Sequence, residues 1–363
     1  MNKPESLYIH IPFCEKICDY CDFTKLQYFR NFAVLYLREL EKELKHYQIG
    51  PLKTIYVGGG TPTALEDDLF AQLLEIIKPY TKGVKEYTFE ANPESLSETK
   101  IKLLYAYGVN RISIGVQSTH DKVLKAINRE HSFNDVKKAV ALLKEKGLTN
   151  INVDLILGLP NSGLSLLKRD LENIVLLGVK HISCYALTIH PHTVLYNQGY
   201  RETNNDQMRQ YYDLVASFLK EKNFIHYEVS NWSIEGYQSE HNLTYWRNHR
   251  YYGVGLGASG YIDNIRYKNT VNLDRYLKGE YIQEEEIVEP HDEMTYQIML
   301  NLRTIEGLDL GIFKTKFGID LLKTKEKEIA SLINDGYLYL KDNKLIPTYS
   351  GMMILDTISL HLI

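Results

Sequence analysis

The chain has 363 residues, which is enough for one large domain with a smaller satellite. Hydrophobic residues make up 44% and charged residues 24%, a balance that excludes an intrinsically disordered protein. The 42 Lys and Arg against 46 Asp and Glu give a net charge of −4, which argues against nucleic-acid binding through overall charge. No apolar run approaches the roughly 18 residues of a membrane-spanning helix, and residues 1–6 have no apolar signal core. We therefore expect a cytoplasmic protein without a membrane anchor.

From residue 7 to about residue 229, short β-rich runs alternate with amphipathic helical patterns. The predicted strands are 7–11, 54–57, 86–90, 111–115, 152–156 and 181–186, and the main helical patterns between them are 33–46, 69–80, 133–146 and 164–177. Regular alternation of strands and helices predicts a parallel sheet, and six such units are fewer than the eight of a closed barrel. We therefore predict an α/β fold, a partial (β/α)6 barrel over residues 1–229.

The pattern changes after a further predicted helix at 207–222. Residues 227–281 are rich in Tyr, Asn and Gly without a clear period, and the acidic run at 284–286 is typical of a linker or a solvated turn. Helices are predicted at 292–303 and 325–335, and a hairpin at 338–345. We predict a connecting segment over 230–285 and a small winged-helix-like α+β domain over 286–363. Its net negative charge favours packing or docking over DNA binding.

Three of the four cysteines, Cys14, Cys18 and Cys21, are spaced C-x3-C-x2-C directly after the first predicted strand. The carboxyl end of a strand is where α/β barrels build their sites. Thiolates are the usual ligands of a [4Fe–4S] cluster, and a loop with three of them leaves one iron open to another molecule. The alternative is a zinc site completed by a distant fourth ligand, such as Cys184 or a histidine.

Other ligand-type residues follow the next strands. The triplet at 58–60 follows the second strand, where glycines let the backbone approach a ligand closely. Glu90 ends the third strand, and Asp154 interrupts an otherwise apolar strand. A carboxylate in a buried strand is costly unless it is paired or meets a ligand. We expect both carboxylates to serve a site.

Several ordered motifs together resemble a known family. These are Tyr-Ile-His-Ile-Pro-Phe-Cys at 8–14, Gly-Gly-Gly-Thr-Pro-Thr at 58–63 and Glu-Ala-Asn-Pro at 90–93. The cysteine loop is similar to that of the radical S-adenosylmethionine (SAM) superfamily. The full set resembles its oxygen-independent coproporphyrinogen III oxidase family, and the resemblance runs from residue 7 to the C-terminus.

The resemblance implies two cofactors and the residues that hold them. Cys14, Cys18 and Cys21 would hold a [4Fe–4S] cluster whose open iron chelates SAM, so that one electron can cleave the sulfonium bond. The residues that match SAM-contacting positions of the family are Tyr8, Tyr20, Gly59, Gly60, Thr61, Glu90, Gln117, Arg129 and Asp154. Whether SAM is cleaved is left open by the motifs.

The family has an enzyme branch and a heme-chaperone branch, and three features favour the chaperone. Cys21 is followed by Asp22 and Phe23, where the enzymes continue with Gly-Cys. Six residues precede the first strand, where the enzymes have a long segment. The motif His-Asn-Leu-Thr-Tyr-Trp at 241–246, in a stretch expected to be a polar loop, matches an H-N-x-x-Y-W motif associated with heme binding.

The chaperone reading implies heme as a bound group with His241 as axial ligand, since neutral imidazole is a common ligand of heme iron. The implied partners are heme-accepting proteins such as respiratory cytochromes, with no nucleic acid; a homodimer is left open. The alternatives are an active oxidase acting on coproporphyrinogen III and a zinc-bound structural protein. His190 and His192 stand where relatives more often show Glu-Pro-Gly. This stretch could approach the site or form a surface turn, and we favour the turn.

Overall fold

The computed structural model describes residues 3–363, so Met1 and Asn2 of the predicted 1–229 unit lie outside the described residues. In chain order, the strands are β1 (Ser6–Ile11), β2 (Phe13–Cys14), β3 (Leu26–Gln27), β4 (Thr54–Gly59), β5 (Glu86–Ala91), β6 (Arg111–Gln117), β7 (Asn150–Leu157), β8 (His181–Ala186), β9 (Ile225–Glu228), β10 (Asn231–Ser233), β11 (Tyr252–Val254), β12 (Ser259–Ile262), β13 (Ile265–Asn269), β14 (Ile282–Ile287), β15 (Leu308–Asp309), β16 (Leu338–Lys341) and β17 (Lys344–Pro347).

Helices of very different length connect these strands. In chain order, they are α1 (Arg30–His46), α2 (Asp67–Ile77), α3 (Glu98–Ala106), α4 (Asp121–Lys125), α5 (Phe133–Glu145), α6 (Leu164–Leu176), α7 (Val194–Asn197), α8 (Asn205–Glu221), α9 (Glu240–Trp246), α10 (Leu273–Tyr276), α11 (Pro290–Asn301), α12 (Leu310–Phe317), α13 (Leu321–Thr324), α14 (Glu326–Asn334), α15 (Tyr349–Met352) and α16 (Leu355–Leu362). None of these helices, over residues 3–363, combines the length and the apolar character needed to cross a membrane.

The main sheet has the strand order β11-β1-β4-β5-β6-β7-β8-β10-β9. Its strands run parallel from β11 through β8, and β10 and β9 are antiparallel. Within the described chain, the edge strands β11 and β9 do not pair with each other, so the barrel is open. The six predicted strands are the six from β1 to β8 that belong to this sheet. The predicted α/β partial barrel is therefore confirmed.

The helix α5 shows why the local sequence folds this way. Ser132 caps its N-terminus, and the Asp135 carboxylate accepts a hydrogen bond from the Ser132 backbone N–H in return. Val136, Val140 and Leu143 recur at helical spacing and are buried against the sheet. After the helix the chain turns at Gly147, whose φ of 88° is left-handed, a conformation that glycine adopts without strain.

Two strands of the main sheet, β10 and β11, come from the aperiodic stretch at 227–281, for which the sequence predicts no strands. β11 pairs in parallel with β1, and β10 pairs with β8 in the antiparallel direction. These strands have only three residues each, too short for a hydrophobic period to appear in the sequence. The main sheet thus contains strands from both sides of the 229/230 boundary, and the predicted domain boundaries stay predictions.

The expectation of a linker or solvated turn at 284–286 is wrong, because these glutamates lie in β14 of a second sheet, β12-β13-β14. Their side chains are exposed, which is why the sequence looks like a turn. Across the sheet Lys268 lies opposite Glu284 and Arg266 opposite Glu286. Opposite charges in cross-strand pairs stabilise a sheet, so the acidic run is satisfied in an extended conformation.

The C-terminal part has its own hydrophobic core. It packs α11, α12, α14 and α16 with the three-stranded sheet β15-β17-β16, and β16 and β17 form the hairpin predicted at 338–345. Representative core residues are Ile298, Phe313, Ile329, Leu345 and Ile358. The predicted small α+β unit is confirmed.

Glu43 of α1 links this helix by hydrogen bonds to the chain at and after the edge strand β11. It is fully buried and accepts hydrogen bonds from the Gly255 backbone N–H at 2.9 Å, the Asn269 amide at 2.6 Å and the Tyr276 hydroxyl at 2.6 Å. Burial raises the pKa of its carboxyl to about 7. One side chain therefore satisfies polar groups from three places in the segment after β10.

We expect Glu43→Ala to lower the free energy of unfolding by about 3 kcal/mol, because buried donors are left without an acceptor. Glu41→Ala is the matched control on the same helix, since Glu41 makes only an exposed ion pair with Lys45 and should cost less than about 0.5 kcal/mol. Urea denaturation of the cofactor-free protein measures both. Equal destabilisation by the two variants would contradict this account.

Candidate functional site

The inner face of the parallel sheet is polar, and its outer face is apolar. Along β6, Ile112, Ile114 and Val116 are fully buried against the helices, while the alternate positions from Arg111 to Gln117 face a cavity. The cavity has a volume of about 440 Å³. The sequence-predicted site residues that line it are Cys14, Cys18, Tyr20, Cys21, Gly59, Gly60, Thr61, Glu90, Gln117, Arg129 and Asp154. Tyr8 and His241 are not among its lining residues.

The cysteine loop leaves β2 and crosses the carboxyl end of the sheet. The Thr61 hydroxyl donates to Cys14 Sγ at 3.8 Å, and Arg129 Nη1 donates to Cys18 Sγ at 3.6 Å. Burial raises the pKa of the Cys14 thiol to about 11 and also raises the pKa of Cys21. Buried thiols of this kind ionise only when a positive charge or a metal stabilises the thiolate. Among residues 3–363, no group of three or more His, Cys, Asp or Glu is arranged to hold a single metal ion.

The glycine turn after β4 packs directly under the cysteine loop. The Gly60 and Thr61 backbone N–H groups donate to the carbonyls of Ile11 and Phe13, both at 2.8 Å. A Cβ on Gly60 would lie 2.8 Å from the Phe13 carbonyl oxygen, and Gly59 has a left-handed φ of 118°. A larger residue at position 60 would push the start of the cysteine loop away, and one at position 59 would collide with the His10 side chain.

Two carboxylates project from the inner face into the cavity. Glu90 accepts hydrogen bonds from the Tyr56 hydroxyl at 2.7 Å and the Gly59 N–H at 3.0 Å. Asp154 accepts from the Asn152 amide at 2.8 Å and the Ser113 hydroxyl at 3.1 Å. Burial raises the pKa of both, that of Glu90 to about 7. A cationic ligand group in the cavity would favour the ionised form of each carboxyl.

Arg129 links the cysteine loop to the end of β6. Besides Cys18, it donates to the Asn92 side chain at 3.0 Å and to the Gly115 carbonyl. Gln117 follows a register shift between β6 and β7 and has a left-handed φ of 66°. Such strained backbone persists where the surroundings fix it, commonly at ligand sites.

The sequence reasoning missed Arg111, the first residue of β6. It is 1% exposed and lines the cavity, and its Nε and Nη1 make no hydrogen bond. Burial acts to lower the pKa of Arg111, but the negative charges around it, that of Glu86 above all, raise it. The sequence could have pointed to Arg111, because it is a charged residue at the start of an otherwise apolar strand. A charge within an apolar strand is also what identified Asp154. The other lining residues that the sequence did not single out include Tyr56, Asn92, Ser113, Asn152, Ser183, Tyr185 and Asn242.

The motif at 241–246 was expected in a polar loop, but the structure places it in the helix α9. His241 is fully buried, with Nδ1 bonded to the Thr54 hydroxyl at 2.8 Å and Nε2 to the Tyr245 hydroxyl at 2.8 Å. Burial lowers the pKa of His241 to about 3, so the ring is neutral. Both nitrogens are engaged, and neither is free for iron in this conformation. Tyr8 lies nearby and its hydroxyl bonds to His10 Nδ1 at 2.8 Å.

The two histidines after β8 have different surroundings. His192 is exposed in a turn with a left-handed φ of 72°, as expected. His190 is at the mouth of the cavity and is one of its lining residues. Its Nε2 lies 3.2 Å from the Asp22 carboxylate, directly after the cysteine loop. His190 is thus exposed at the surface and also lines the cavity, so it follows the alternative in which this stretch approaches the site.

Comparison with known proteins gives the family. A family model described as the radical SAM superfamily matches residues 8–174, and one described as the HemN C-terminal domain matches residues 288–354. Curated proteins named heme chaperone HemW are similar along nearly the whole chain. The protein from Lactococcus lactis is 37% identical, covering 97% of this chain and 95% of the relative; that from Bacillus subtilis is 34% identical, covering 96% and 97%.

The chain belongs to the HemW family. A further member of the HemW family, from Escherichia coli, is 33% identical and covers 92% of both chains. Among solved structures, the coproporphyrinogen III oxidase HemN from Escherichia coli superposes with a TM-score of 0.86 at 21% identity, covering 99% of this chain and 90% of that one. At this identity the likeness concerns the fold, which this chain shares over 99% of its length.

The raised pKa of Glu90 predicts a pH-dependent stability. An unfolded Glu ionises at about pH 4.3, whereas folded Glu90 stays protonated up to about pH 7. Over this window the unfolded state loses its proton first, so the free energy of unfolding falls as pH rises. We expect Glu90→Gln to remove about 2 kcal/mol of this decrease between pH 5 and pH 8.

Urea denaturation of the cofactor-free protein at several pH values measures the effect. Glu221→Gln, at an exposed position on α8, is the matched control and should leave the pH dependence as in the wild type. A pH dependence unchanged in Glu90→Gln would contradict the assignment of a protonated, cavity-facing carboxyl.

Proposed function

We propose that this protein is a heme chaperone that binds heme and passes it to acceptor hemoproteins, and that it carries a [4Fe–4S] cluster and SAM. The observation that carries the proposal is the near full-length similarity to curated HemW heme chaperones. The geometry supports it, because the cysteine loop, the glycine turn and the charged inner face meet at one cavity.

The donor set at the cavity fits an iron–sulfur cluster and SAM. Cys14, Cys18 and Cys21 would hold three irons, and Arg129 and Thr61, which already donate to sulfur, would stabilise the negative charge of the thiolates. The fourth iron would face the cavity. With both groups bound, the site has one-electron chemistry at the SAM sulfonium available to it.

The role of the protein's own residues would be to orient SAM and to exclude water. Gly59, Gly60 and Thr61 line the cavity with backbone groups and would contact the amino acid moiety of SAM. Carboxylates favour the positive charges of SAM, and amide and guanidinium groups favour its carboxylate and hydroxyl oxygens. The side chains proposed for these contacts are Tyr8, Tyr20, Glu90, Gln117, Arg129 and Asp154. Tyr8 does not line the cavity, so it would act indirectly, by positioning the neighbouring Tyr56, which does.

The mouth of the cavity suits a flat apolar macrocycle. Ile17, Phe23, Tyr185 and Leu187 line the cavity, and Phe23 is 64% exposed although it is apolar. An exposed aromatic beside a cavity is typical of a binding surface. Ligation of heme iron by His241 stays a prediction, and it requires the Tyr245 hydroxyl to leave Nε2.

A second candidate function is oxygen-independent decarboxylation of coproporphyrinogen III. The high structural likeness to HemN from Escherichia coli favours it at the level of the fold. The higher and near full-length identity to heme chaperones favours the first proposal. In the heme-chaperone proposal, the partners are heme-accepting proteins such as respiratory cytochromes, and heme is loaded in the cytoplasm.

We expect Cys18→Ser to lose most of its iron and acid-labile sulfide after anaerobic reconstitution, together with the visible absorbance of the cluster, because a cluster ligand is removed. Cys184→Ala is the matched control, since Cys184 is buried in β8 and is not a lining residue. Full iron content in Cys18→Ser would contradict the cluster assignment. Zinc in place of iron and sulfide in the wild type would instead favour a structural zinc site.

A heme titration of the anaerobically reconstituted protein tests the chaperone function. We expect saturable binding near one heme per chain, measured by difference absorbance. The parallel assay holds coproporphyrinogen III, SAM and a reductant, and its readout is carbon dioxide. Release of carbon dioxide without heme binding would favour the oxidase and contradict the chaperone.

A further inference from the structure

A chain of buried hydroxyl groups joins His241 of α9 to two strands of the main sheet and returns to α9. The Nδ1 atom of His241 lies 2.8 Å from the Thr54 hydroxyl of β4, and that hydroxyl donates to Ser6 Oγ of β1 at 2.9 Å. Ser6 Oγ lies 3.0 Å from the Thr244 hydroxyl, which donates to the Glu240 carbonyl at 3.1 Å. The three hydroxyl residues are at most 7% exposed, so these hydrogen bonds are shielded from water.

The number of protons fixes the direction of every bond in this chain. A carbonyl oxygen can only accept, and each hydroxyl has one proton to donate. Because Thr244 donates to the Glu240 carbonyl, it must accept from Ser6. Ser6 in turn accepts from Thr54. With its one proton on Ser6, the Thr54 hydroxyl can only accept from His241.

The tautomer of His241 follows from that direction. Burial lowers the pKa of His241 to about 3, so the ring is neutral and has one N–H group. That proton is on Nδ1, where it is donated to Thr54, and Nε2 keeps its lone pair. The Tyr245 hydroxyl, 2.8 Å from Nε2, therefore donates to the lone pair. Histidines that bind metals have the same arrangement, in which one nitrogen donates within the protein and the other binds the metal.

His241 lies directly behind the wall of the cavity. Tyr56 and Asn242 line the cavity, and the Tyr56 ring lies 5.2 Å from the ring of His241 between centroids. The two hydrogen-bond partners of the imidazole differ in their freedom to move. Thr54 is buried within a strand, whereas Tyr245 is partly exposed and stands edge-on to the His241 ring. Tyr245 is therefore the partner that can leave.

We propose that the hydroxyls of Thr54, Ser6 and Thr244 preset His241 as a ligand of heme iron, and that the Tyr245 hydroxyl is a removable cap on its Nε2. This inference rests on the proposed heme-chaperone function and specifies how its predicted ligand is held and released. On loading, the hydrogen bond from Tyr245 to Nε2 breaks and a bond from Nε2 to iron forms. On release, Tyr245 caps Nε2 again. No electron or proton is transferred in either direction.

The first test measures the tautomer in the full chain without heme. NMR of isotope-labelled histidine distinguishes a protonated ring nitrogen from an unprotonated one, and the spectrum of His241→Gln identifies the signals of His241. We expect the proton on Nδ1 in the wild type. Thr54→Val keeps the shape of the side chain but removes the acceptor, so the proton should move to Nε2, where it can be donated to the Tyr245 oxygen. Thr54→Ser restores the hydroxyl and should restore the wild-type tautomer.

The second test is a heme titration of the same proteins and of Tyr245→Phe. We expect Thr54→Val to bind heme at least about ten-fold more weakly, because a proton occupies the nitrogen that binds iron. Tyr245→Phe keeps the aromatic ring but has no cap, so it should bind heme about five-fold more tightly and release it more slowly. Thr88→Val is the matched control and should match the wild type. Thr88 is equally buried on β5, and its hydroxyl has no hydrogen-bond partner among the described residues.

The outcomes separate the inference from the function on which it rests. A proton on Nε2 of His241 in the wild type overturns the inference, and so does a Tyr245→Phe variant that binds heme no more tightly than the wild type. An unchanged heme spectrum in His241→Gln also overturns it but leaves the chaperone function standing, because another residue then ligates the iron. Absence of heme binding by a wild type that has its proton on Nδ1 overturns the function instead. The expected tautomers, with weaker binding by Thr54→Val and tighter binding by Tyr245→Phe, support both.

Discussion

Buried charges must be paired or meet a ligand, and the inner face of the main sheet places Arg111, Arg129, Glu90 and Asp154 around one space. Parallel sheets are ordinarily covered by apolar groups on both faces. Here the outer face packs against helices and the inner face cannot collapse into a dry core, because too many polar groups would lose water without gaining partners. The cavity, its position under the cysteine loop and the raised pKa values of Glu90 and Asp154 all follow from this constraint.

Periodic features of the sequence predict periodic features of the fold. The six central strands and the long helices could be found because their apolar residues recur with the spacing of a sheet or a helix. The short strands β10 and β11 could not, since three residues define no period. The acidic strand β14 shows a different limit: Glu284 and Glu286 owe their conformation to Lys268 and Arg266 on the neighbouring strand, a pairing that is set by tertiary structure.

The site was predictable where residues follow strand ends, and less so where loops bring distant segments together. Eleven predicted residues line one cavity because the carboxyl ends of parallel strands meet at one edge. The motif around His241 predicts a heme ligand but not its environment, since burial against Thr54 and Tyr245 depends on how α9 packs. Likewise, His190 reaches the cavity only through the path of the loop after β8, which has no sequence period.

The central claim is that this chain holds heme in order to give it away. The most direct measurement loads the reconstituted protein with heme, adds the heme-free form of a cytochrome, and follows the absorbance of both proteins with time. The account predicts that heme moves to the acceptor. The rate of this transfer should exceed the rate at which heme dissociates spontaneously, which is measured with a heme-scavenging protein in place of the acceptor. Heme that stays bound in the presence of every acceptor, or that leaves at the same rate whether or not an acceptor is present, would contradict it.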